Sequence, residues 1–532
     1  MSNTTWSTLF TDEVQVGARP LRIEAFQYKE NFGITINNWP TVPIPFRPTG
    51  DGIESVIDEF LPVKLQLSPV EYAELKRYLF SKEFENKLRV SMKLTDFSPG
   101  GLAELLLSES HYATLIDTEE ILVYRNGKYV SGGEGEIKFK LEQMVGKDLR
   151  KNTVEEVIGH VKRQTFRRRE EFDADPFVLN LKNGLLDLRT YELRPHSPDY
   201  LSMVQLPVVF DQSADCSLIK KFLSEVLYSE DIPVVQEFAG YLLWREYPNA
   251  KVLLLVGDGS NGKSTFINVL KALLGIDNIA SRSLQELELN RFAKASLFGK
   301  LANLYADLPD QALKSVGIFK ILTGGDPGTA EHKFHNAFTF VNYAKMVFSC
   351  NRIPEVYEDT TAFFRRLIIV TFPNTFKEQA DQNLLTKLTT PEELSGFFNW
   401  ALDGLKRLKS NAWDFSYSKS TSEVRQEYIR KSSPIRAFLM DCTEVDALSF
   451  LSKKQLYSAF TEYCRLKRLP PVTEQTFFRN LPQFAAVQEA RPEIDGERIR
   501  GFNGLRLKPK EQWSQTELTG DEGPLYPCLL LN

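Results

Sequence analysis

One stretch of this sequence constrains the fold more than any other: residues 251–265, which read KVLLLVGDGSNGKST. An apolar run at Val252–Val256 is long enough for a buried strand and ends at a glycine. A glycine-rich loop follows, and apolar residues then recur at helical spacing. Strand, glycine loop and helix in this order are the context in which the pattern GxxxxGKS indicates a P-loop.

The residue types in this loop suit the binding of phosphate. Its glycines let successive backbone N–H groups turn inward, and the start of the helix adds a partial positive charge. Lys263 is placed to reach the β- and γ-phosphates, and the Ser264 hydroxyl is placed to bind Mg²⁺. We therefore predict that the chain binds a nucleoside triphosphate. The residues predicted to line this site are Gly257, Asp258, Gly259, Ser260, Asn261, Gly262, Lys263, Ser264 and Thr265.

Length and charge limit the classes of protein to consider. With 532 residues the chain is too long for one hydrophobic core, so about two to four domains are expected. Its net charge of −5 argues against a uniformly basic DNA-coating protein, although it allows a local basic channel. The five cysteines are far apart, which predicts reduced thiols in a cytosolic protein and neither disulfides nor a zinc site. The sequence predicts neither a signal peptide nor a membrane span.

Polar residues follow two of the strands that are predicted after the P-loop. Asp307 ends the strand in GKLANLYADLPD, where a carboxylate is placed to bind Mg²⁺; the alternative is an acidic turn residue. Asn351 ends the strand AKMVFSC, where an amide can orient a water molecule against the γ-phosphate. Arg365 and Arg366 precede a further strand. They are either surface charges or an arginine finger that acts on a neighbouring subunit.

The ordered set of these motifs resembles the superfamily 3 helicases of the AAA+ class. In particular, it resembles the helicase part of the phage and plasmid primase–helicases, over residues 100–375 and more weakly to about residue 508. The resemblance implies an α/β fold with an AAA+ P-loop ATPase core at residues 241–415 and a mixed α/β helicase-associated domain at residues 96–240. The matching motifs are GDGSNGKST (257–265), Asp307, FKILTGGD (319–326), Lys333, SCNRIP (349–354) and FRRL (364–367), with NGLLDL (183–188), PHS (195–197) and ExxGY (237–241) upstream.

This resemblance implies ATP as the nucleotide and a role for each matching residue. Lys263 and Ser264 would hold phosphate and Mg²⁺, and Asp307 would be the Walker B acid that also binds the metal. Asn351 would be the sensor 1 residue, and one of two adjacent arginines would be the arginine finger. The implied catalytic residues are therefore Lys263, Asp307, Asn351, Arg365 and Arg366. Residues 323–340 would form a hairpin that enters the pore of a ring, with Lys333 or His332 touching DNA.

Two features depart from the family pattern. Members often have two adjacent acids at Walker B, but here Ala306 and Leu308 flank Asp307, and the nearest second acid is Asp310. The primase domain that often precedes this helicase is not recognisable in residues 1–95, to which the sequence assigns no role.

The region after the ATPase core predicts a winged-helix-like domain at residues 425–508, followed by a flexible tail at residues 509–532. The expected elements are helices at 434–440, 453–466 and 474–481 and a β-wing at 486–507 that turns at Asp495-Gly496. Its arginines either meet DNA phosphates or serve protein–protein packing in a ring. These residues are Arg479, Arg498, Arg500 and Arg506.

Two functions of different classes fit these observations. The first is an ATP-dependent, ring-forming replicative DNA helicase of a mobile genetic element, expected to be a hexamer with single-stranded or forked DNA in its pore. A separate primase or another replication protein would be a further partner, in the cytoplasm of a bacterial or archaeal host or at a viral replication site. The alternative is a nucleotide-dependent origin initiator or regulator that does not unwind DNA. A small-molecule P-loop kinase is disfavoured, because it has no place for Asn351 or for the arginine pair.

Overall fold

Contacts within the chain divide it into two units. Residues Met1–Ala174 and Ser197–Met203 form the first unit, and Asp175–His196 and Val204–Asn532 form the second. The computed structural model describes residues 7–16, 19–28, 31–36, 39–46, 68–79, 98–146, 149–313, 315–331, 337–356, 360–376, 381–467, 469–494 and 496–513. No helix within these residues is both long and apolar enough to cross a membrane.

The amino-terminal part of the first unit is an antiparallel sheet whose strands lie in sequence order. Between Leu21 and Ala25 of its second strand, alternate residues are buried, at Leu21, Ile23 and Ala25, as expected for a strand with one face on a core. Its elements are β1 (Ser7–Val16), β2 (Arg19–Tyr28), β3 (Asn31–Ile36), β4 (Trp39–Phe46) and helix α1 (Pro69–Leu79). Tyr78 of α1 donates a hydrogen bond to Asp12 of β1.

The rest of the first unit contains a second, mixed sheet. Its described residues also include three α-helices. These elements are α2 (Pro99–Glu109), β5 (Tyr112–Leu115), β6 (Ile121–Arg125), β7 (Lys128–Ser131), α3 (Gly133–Val145), α4 (Lys151–Thr165) and β8 (Phe166–Arg167). The strands lie in the order β7-β6-β5-β8. The β6–β7 hairpin turns at Asn126 and Gly127, whose φ angles of 49° and 88° match a type I′ turn.

The second unit is built around a parallel sheet of five strands in the order β13-β14-β17-β12-β18. Before it the chain forms β9 (Val178–Leu181), β10 (Gly184–Asp187), β11 (Leu193–Arg194), α5 (Ser217–Val226) and α6 (Asp231–Tyr241). The parallel strands are β12 (Val252–Val256), β13 (Ile279–Ala280), β14 (Ala302–Tyr305), β17 (Lys345–Cys350) and β18 (Leu367–Thr371). All residues of β12 and β17 are buried, as expected for a parallel sheet that is covered on both faces.

Helices and one hairpin connect these parallel strands. The connecting helices are α7 (Lys263–Leu274), α8 (Leu284–Leu289), α9 (Gly317–Gly324) and α10 (Thr361–Phe364), and the helices α11 (Leu384–Leu388) and α12 (Pro391–Ser410) follow β18. The hairpin consists of β15 (Pro327–Ala330) and β16 (Phe338–Val341), which pair antiparallel between α9 and β17. Its inner face packs on Phe298, whose ring lies 5.3 Å from that of Phe338 and 5.6 Å from that of Phe340.

Helices α6 and α12 pack so closely that their backbones meet. A Cβ on Gly240 would lie 2.3 Å from Ala401 O, and a Cβ on Gly404 would lie 2.3 Å from Gln236 O. Within the second unit, the segment from Leu179 to Trp244 therefore shares one hydrophobic core with α12 and the parallel sheet. The division between the two units falls after Ala174, inside the region 96–240 that the sequence predicted as one domain, and the domain bounds stay a prediction.

The carboxyl-terminal part of the second unit alternates helices with the strands of a small sheet, in the order β19-β23-β20. Its elements are α13 (Thr421–Ser432), α14 (Pro434–Cys442), β19 (Thr443–Ser452), α15 (Lys453–Leu466), α16 (Glu474–Phe484), β20 (Gln488–Ala490), β21 (Glu493–Ile494), β22 (Glu497–Arg498) and β23 (Gly501–Leu507). The three expected helices and the hairpin of the wing are present. Strand β19 was not predicted from the sequence. Its pairing with β23 shifts register between Asp446 and Phe450, and this irregularity interrupts the alternation of apolar and polar residues that indicates a strand.

Candidate active site

The P-loop has the backbone that its motif predicts. Strand β12 runs directly into the glycine loop, and α7 begins after Gly262, which has a φ of 93°. A Cβ on Gly262 would lie 2.9 Å from Val226 Cγ1, and a Cβ on Gly257 would lie 2.6 Å from Phe372 O. Both glycines are therefore required by the close approach of neighbouring atoms, and Gly262 is also required by its left-handed backbone.

The Lys263 side chain is buried inside this loop, with 6% of its surface exposed. Burial lowers the pKa of Lys263, whereas the nearby Cys350, Asp258 and Asp307 oppose that shift. Because the ammonium group is partly desolvated, it would interact strongly with a phosphate placed in the loop. Its Nζ atom donates hydrogen bonds to Gly257 O (2.6 Å), Asp258 O (3.0 Å), Asn261 Oδ1 (2.9 Å) and Asn351 Oδ1 (3.1 Å).

Asp307 follows β14 and has a φ of 140°, a strained value for a residue with a side chain. A hydrogen bond of 2.8 Å from Leu308 N to Ser349 O holds this turn against β17. The side chains of Asp307 and Asp310 are both exposed. Backbone strain of this kind costs about 1–3 kcal/mol and is concentrated at functional sites, so it agrees with a functional role for Asp307.

Asn351 follows β17, and this strand lies between β12 and β14 in the sheet. Because parallel strands end at the same edge, this order places Asn351 between the P-loop and Asp307. The hydrogen bond of 3.1 Å between Lys263 and Asn351 shows directly that the P-loop and the residue after β17 are in contact. The structure thus brings together three of the residues that were chosen from the sequence for catalysis.

The residues at this edge fit a magnesium ion that is held jointly with a nucleotide. Ser264 is exposed in the first turn of α7, and Asp307 is exposed at the end of β14. Mg²⁺ is usually held by one or two carboxylates together with substrate phosphates, so this donor set suits it. Among the residues that the structure describes, no group of three or more His, Cys, Asp or Glu side chains is arranged to hold a metal ion by itself.

Arg365 and Arg366 lie at the opposite edge of the sheet from the P-loop. The backbone O of Arg366 accepts a hydrogen bond of 2.7 Å from Val252 N, at the amino end of β12. A strand of this length spans roughly 15 Å, so neither arginine is placed beside the P-loop of its own chain. The side chain of Arg365 is exposed, whereas Arg366 is 7% exposed and donates from Nε to Thr323 Oγ1 at 3.0 Å.

The two residues chosen for DNA contact, His332 and Lys333, lie outside the described part of the chain. The strands on either side of them are described and form the β15–β16 hairpin, in which Thr329 pairs with Thr339. The hairpin implied by the family resemblance is therefore present, and the role of its tip stays a prediction.

Helix α13 makes contacts near the carboxyl edge of the parallel sheet, where the P-loop lies, and the sequence did not indicate these contacts. Tyr428 donates a hydrogen bond of 2.7 Å to Pro354 O, three residues after Asn351. Lys431 donates a hydrogen bond of 2.6 Å to Thr371 Oγ1, at the carboxyl end of β18. No local spacing could have revealed these contacts, because each joins segments that are distant in the chain.

These features define a mixed α/β protein with a parallel sheet and a P-loop at the carboxyl edge of that sheet. Two segments of the chain match known protein families. Residues 79–228 match a family described as D5 N terminal like, and residues 255–366 match DUF5906, a family of unknown function. The second segment begins inside β12 and ends at Arg366, so it includes Lys263, Asp307 and Asn351.

One curated relative is the protein named Putative helicase L207/L206 of Acanthamoeba polyphaga mimivirus. It is 24% identical to this chain over 256 residues, which is 43% of this chain and 25% of the relative. The chain therefore matches about a quarter of the length of that relative.

Two solved structures of the NrS-1 C-terminal region, both in the apo form, are also similar. The first covers 76% of this chain and 99% of the solved chain, with 13% identity and a TM-score of 0.45. The second, the A form, has the same coverage, with 11% identity and a TM-score of 0.41. At TM-scores below 0.5, this likeness does not establish a shared fold.

Proposed function

We propose that this protein is an ATP-dependent, ring-forming replicative DNA helicase of the AAA+ superfamily 3 type, from a mobile genetic element. The observation that carries the proposal is the meeting of three separate segments at one sheet edge, where Lys263 contacts Asn351 at 3.1 Å and Asp307 follows the next strand. The name of the mimivirus relative supports the helicase part of the proposal.

The strand order supports the AAA+ assignment over a simpler nucleotide-binding protein. Strand β17 lies between the P-loop strand and the strand of Asp307, and the amide of Asn351 after it contacts Lys263, which we propose to bind the γ-phosphate. An amide at this position can align a water molecule for attack on the γ-phosphate during hydrolysis. A kinase that passes the phosphate to a small molecule does not need it.

In the proposed mechanism, the backbone N–H groups of the P-loop and the ammonium of Lys263 bind the phosphates of ATP. Ser264 and Asp307 would hold Mg²⁺, and a bound Mg²⁺ would supply charge neutralisation for the phosphates. Asn351 orients the attacking water. Arg365, which is exposed and lies away from its own P-loop, stabilises the transition state in the neighbouring subunit.

The carboxyl-terminal part fits a winged-helix-like role in the same protein. Its described elements follow the order helix, strand, helix, helix, strand, wing hairpin and strand, from α14 to β23. Arg479, Arg498, Arg500 and Arg506 are all exposed; Arg506 forms an ion pair of 2.7 Å with Glu444, and Arg498 lies 4.0 Å from a carboxylate oxygen of Glu493. We assign DNA binding to Arg479 and Arg500, which suit phosphate contacts, and a structural role to Arg506.

A strand-displacement experiment tests the proposed function. The full chain is incubated with forked DNA and Mg²⁺–ATP, and its oligomeric state is measured by analytical ultracentrifugation. The proposal expects a ring, ATP turnover that DNA stimulates, and displacement of one strand. The Lys263→Ala variant is the control and should displace nothing. ATP turnover and DNA binding without displacement would instead identify the protein as an origin initiator or regulator.

A further inference from the structure

We infer that Arg366, Thr323 and Asn342 form a clamp that couples the β15–β16 hairpin to the sheet edge carrying Arg365. In this assignment Arg366 is a positioning residue for the hairpin and not the arginine finger. The coupling rests on the proposed function, because it links a hydrolysis contact to the segment proposed to touch DNA.

The clamp begins at the base of the hairpin, where both arms meet the last turn of α9. Asn342 follows the returning strand β16 and is 3% exposed. Its Nδ2 donates hydrogen bonds to Leu322 O at 2.7 Å and to Ala344 O at 3.0 Å. The outgoing strand β15 starts three residues after α9 ends, at Pro327. The segment at Leu322 and Thr323 therefore fixes the position of both arms.

Arg366 attaches this segment to the sheet. Thr323 is fully buried; its hydroxyl donates to Phe319 O at 2.8 Å and accepts from Arg366 Nε at 3.0 Å. Arg366 also donates from Nη1 to Ala362 O in α10. Since a buried guanidinium that loses a partner retains an unsatisfied N–H group, this contact is costly to break. The rings of Phe319 and Phe363, 5.1 Å apart, hold α9 against α10 in the same region.

The backbone of the same dipeptide is tied to the strand that leads to the P-loop. Val252 N donates to Arg366 O at 2.7 Å, and Lys251 Nζ donates to Arg365 O at 2.7 Å. The Arg365 side chain is exposed. If a nucleotide in the next subunit draws Arg365 toward it, the adjacent Arg366 moves with it and displaces Thr323. Chains of packed side chains and hydrogen bonds of this kind carry coupling between sites when they have two discrete arrangements.

The test compares Thr323→Val, which keeps the shape but removes the hydroxyl, with Thr323→Ser, which keeps the hydroxyl. ATP turnover is measured with and without single-stranded DNA, and oligomeric state is measured as before. We expect the ratio of DNA-stimulated to basal turnover to fall on the order of tenfold in Thr323→Val, as for the loss of one contact in a coupling network. Thr323→Ser should keep most of that ratio. A wild-type ratio in Thr323→Val would overturn the clamp.

A second measurement separates failure of the clamp from failure of the proposed function. Backbone hydrogen exchange of β16 reports the hairpin base without any enzymatic activity, and it should be faster in Thr323→Val than in Thr323→Ser. Equal exchange in the two variants would overturn the clamp even in an inactive protein. Arg366→Gln is also mixed with Lys263→Ala subunits. Restored hydrolysis in that mixture would show that Arg366 is the finger, which contradicts its assignment to the clamp.

Discussion

The Nζ atom of Lys263 lies 3.1 Å from Oδ1 of Asn351, although 88 positions separate the two residues in the chain. This contact exists because β17 is the direct neighbour of β12 in the parallel sheet. It places a polar amide beside the residue that is proposed to bind the γ-phosphate. The proposed hydrolysis site can therefore be tested residue by residue.

The two exposed acids that follow β14 should differ in their effect on turnover. Asp307→Asn should bind Mg²⁺–ATP but hydrolyse it on the order of a hundredfold more slowly, because the metal loses a charged ligand. Asp310→Asn is the matched control and should leave the rate nearly unchanged. Steady-state ATPase assays measure the hydrolysis rate of both variants. An equal loss of rate in the two variants would show that Asp310 is also needed for catalysis.

The strained backbone of Asp307, with φ at 140°, predicts an effect on stability. Asp307→Gly should be more stable than Asp307→Ala by about 1 kcal/mol, because glycine adopts this backbone without the cost that a Cβ brings. Thermal unfolding monitored by circular dichroism compares the two variants. Both should lack ATP turnover. A less stable glycine variant would show that the backbone at this position is not strained.

Gly257 and Gly259 of the P-loop have different surroundings, so substitution by alanine should have different effects at the two positions. A Cβ on Gly257 would lie 2.6 Å from Phe372 O, whereas a Cβ on Gly259 would meet no atom within 4 Å. Gly257→Ala should lower the free energy of unfolding by about 1–3 kcal/mol, as overpacking does. Gly259→Ala should unfold like the wild type. Denaturant titration measures both values, and a neutral Gly257→Ala would contradict the close packing of the loop.

Arg365→Ala should bind ATP but lose about 10³-fold in hydrolysis, as expected for the loss of an arginine finger. Mixing it with Lys263→Ala subunits should restore part of the rate, because a mixed interface combines an intact P-loop with an intact arginine. The measurement is ATPase rate against the mixing ratio. Full turnover by a dilute monomer of the wild type would rule out action across a subunit boundary.

Lys333→Ala should weaken DNA binding most at low salt, because a single phosphate contact per subunit is lost around the ring. We expect lower DNA stimulation of ATP turnover and loss of strand displacement, with ring assembly unchanged. Lys333→Arg keeps the charge and is the control. If Lys333→Ala unwinds DNA normally and His332→Ala does the same, the DNA contact lies elsewhere in the protein.

Much of the fold was predictable where the signal is local. The hairpin at Asn126 and Gly127 and the helices of the carboxyl-terminal part depend on turn residues and apolar spacing within a few positions. Strand β19 was missed because its register shift after Asp446 disrupts the alternation on which strand prediction depends. The close packing at Gly240 and Gly404 was also not predictable from local signals, because it joins helices that are distant in the chain.

The sequence by itself determined the strand–loop–helix geometry of the P-loop, since strand, glycines, Lys263 and helix are contiguous and their geometry follows from local sterics; the phosphate chemistry of this loop stays a prediction. It also indicated Asp307 and Asn351 as residues at strand ends. Only the tertiary structure decided that Asn351 contacts Lys263, because strand order is set by long-range packing and not by spacing along the chain. Only the tertiary structure distinguished the surroundings of Arg365 from those of Arg366. The side chain of Arg365 is exposed, whereas that of Arg366 is hydrogen-bonded to Thr323, which lies 43 positions earlier in the chain.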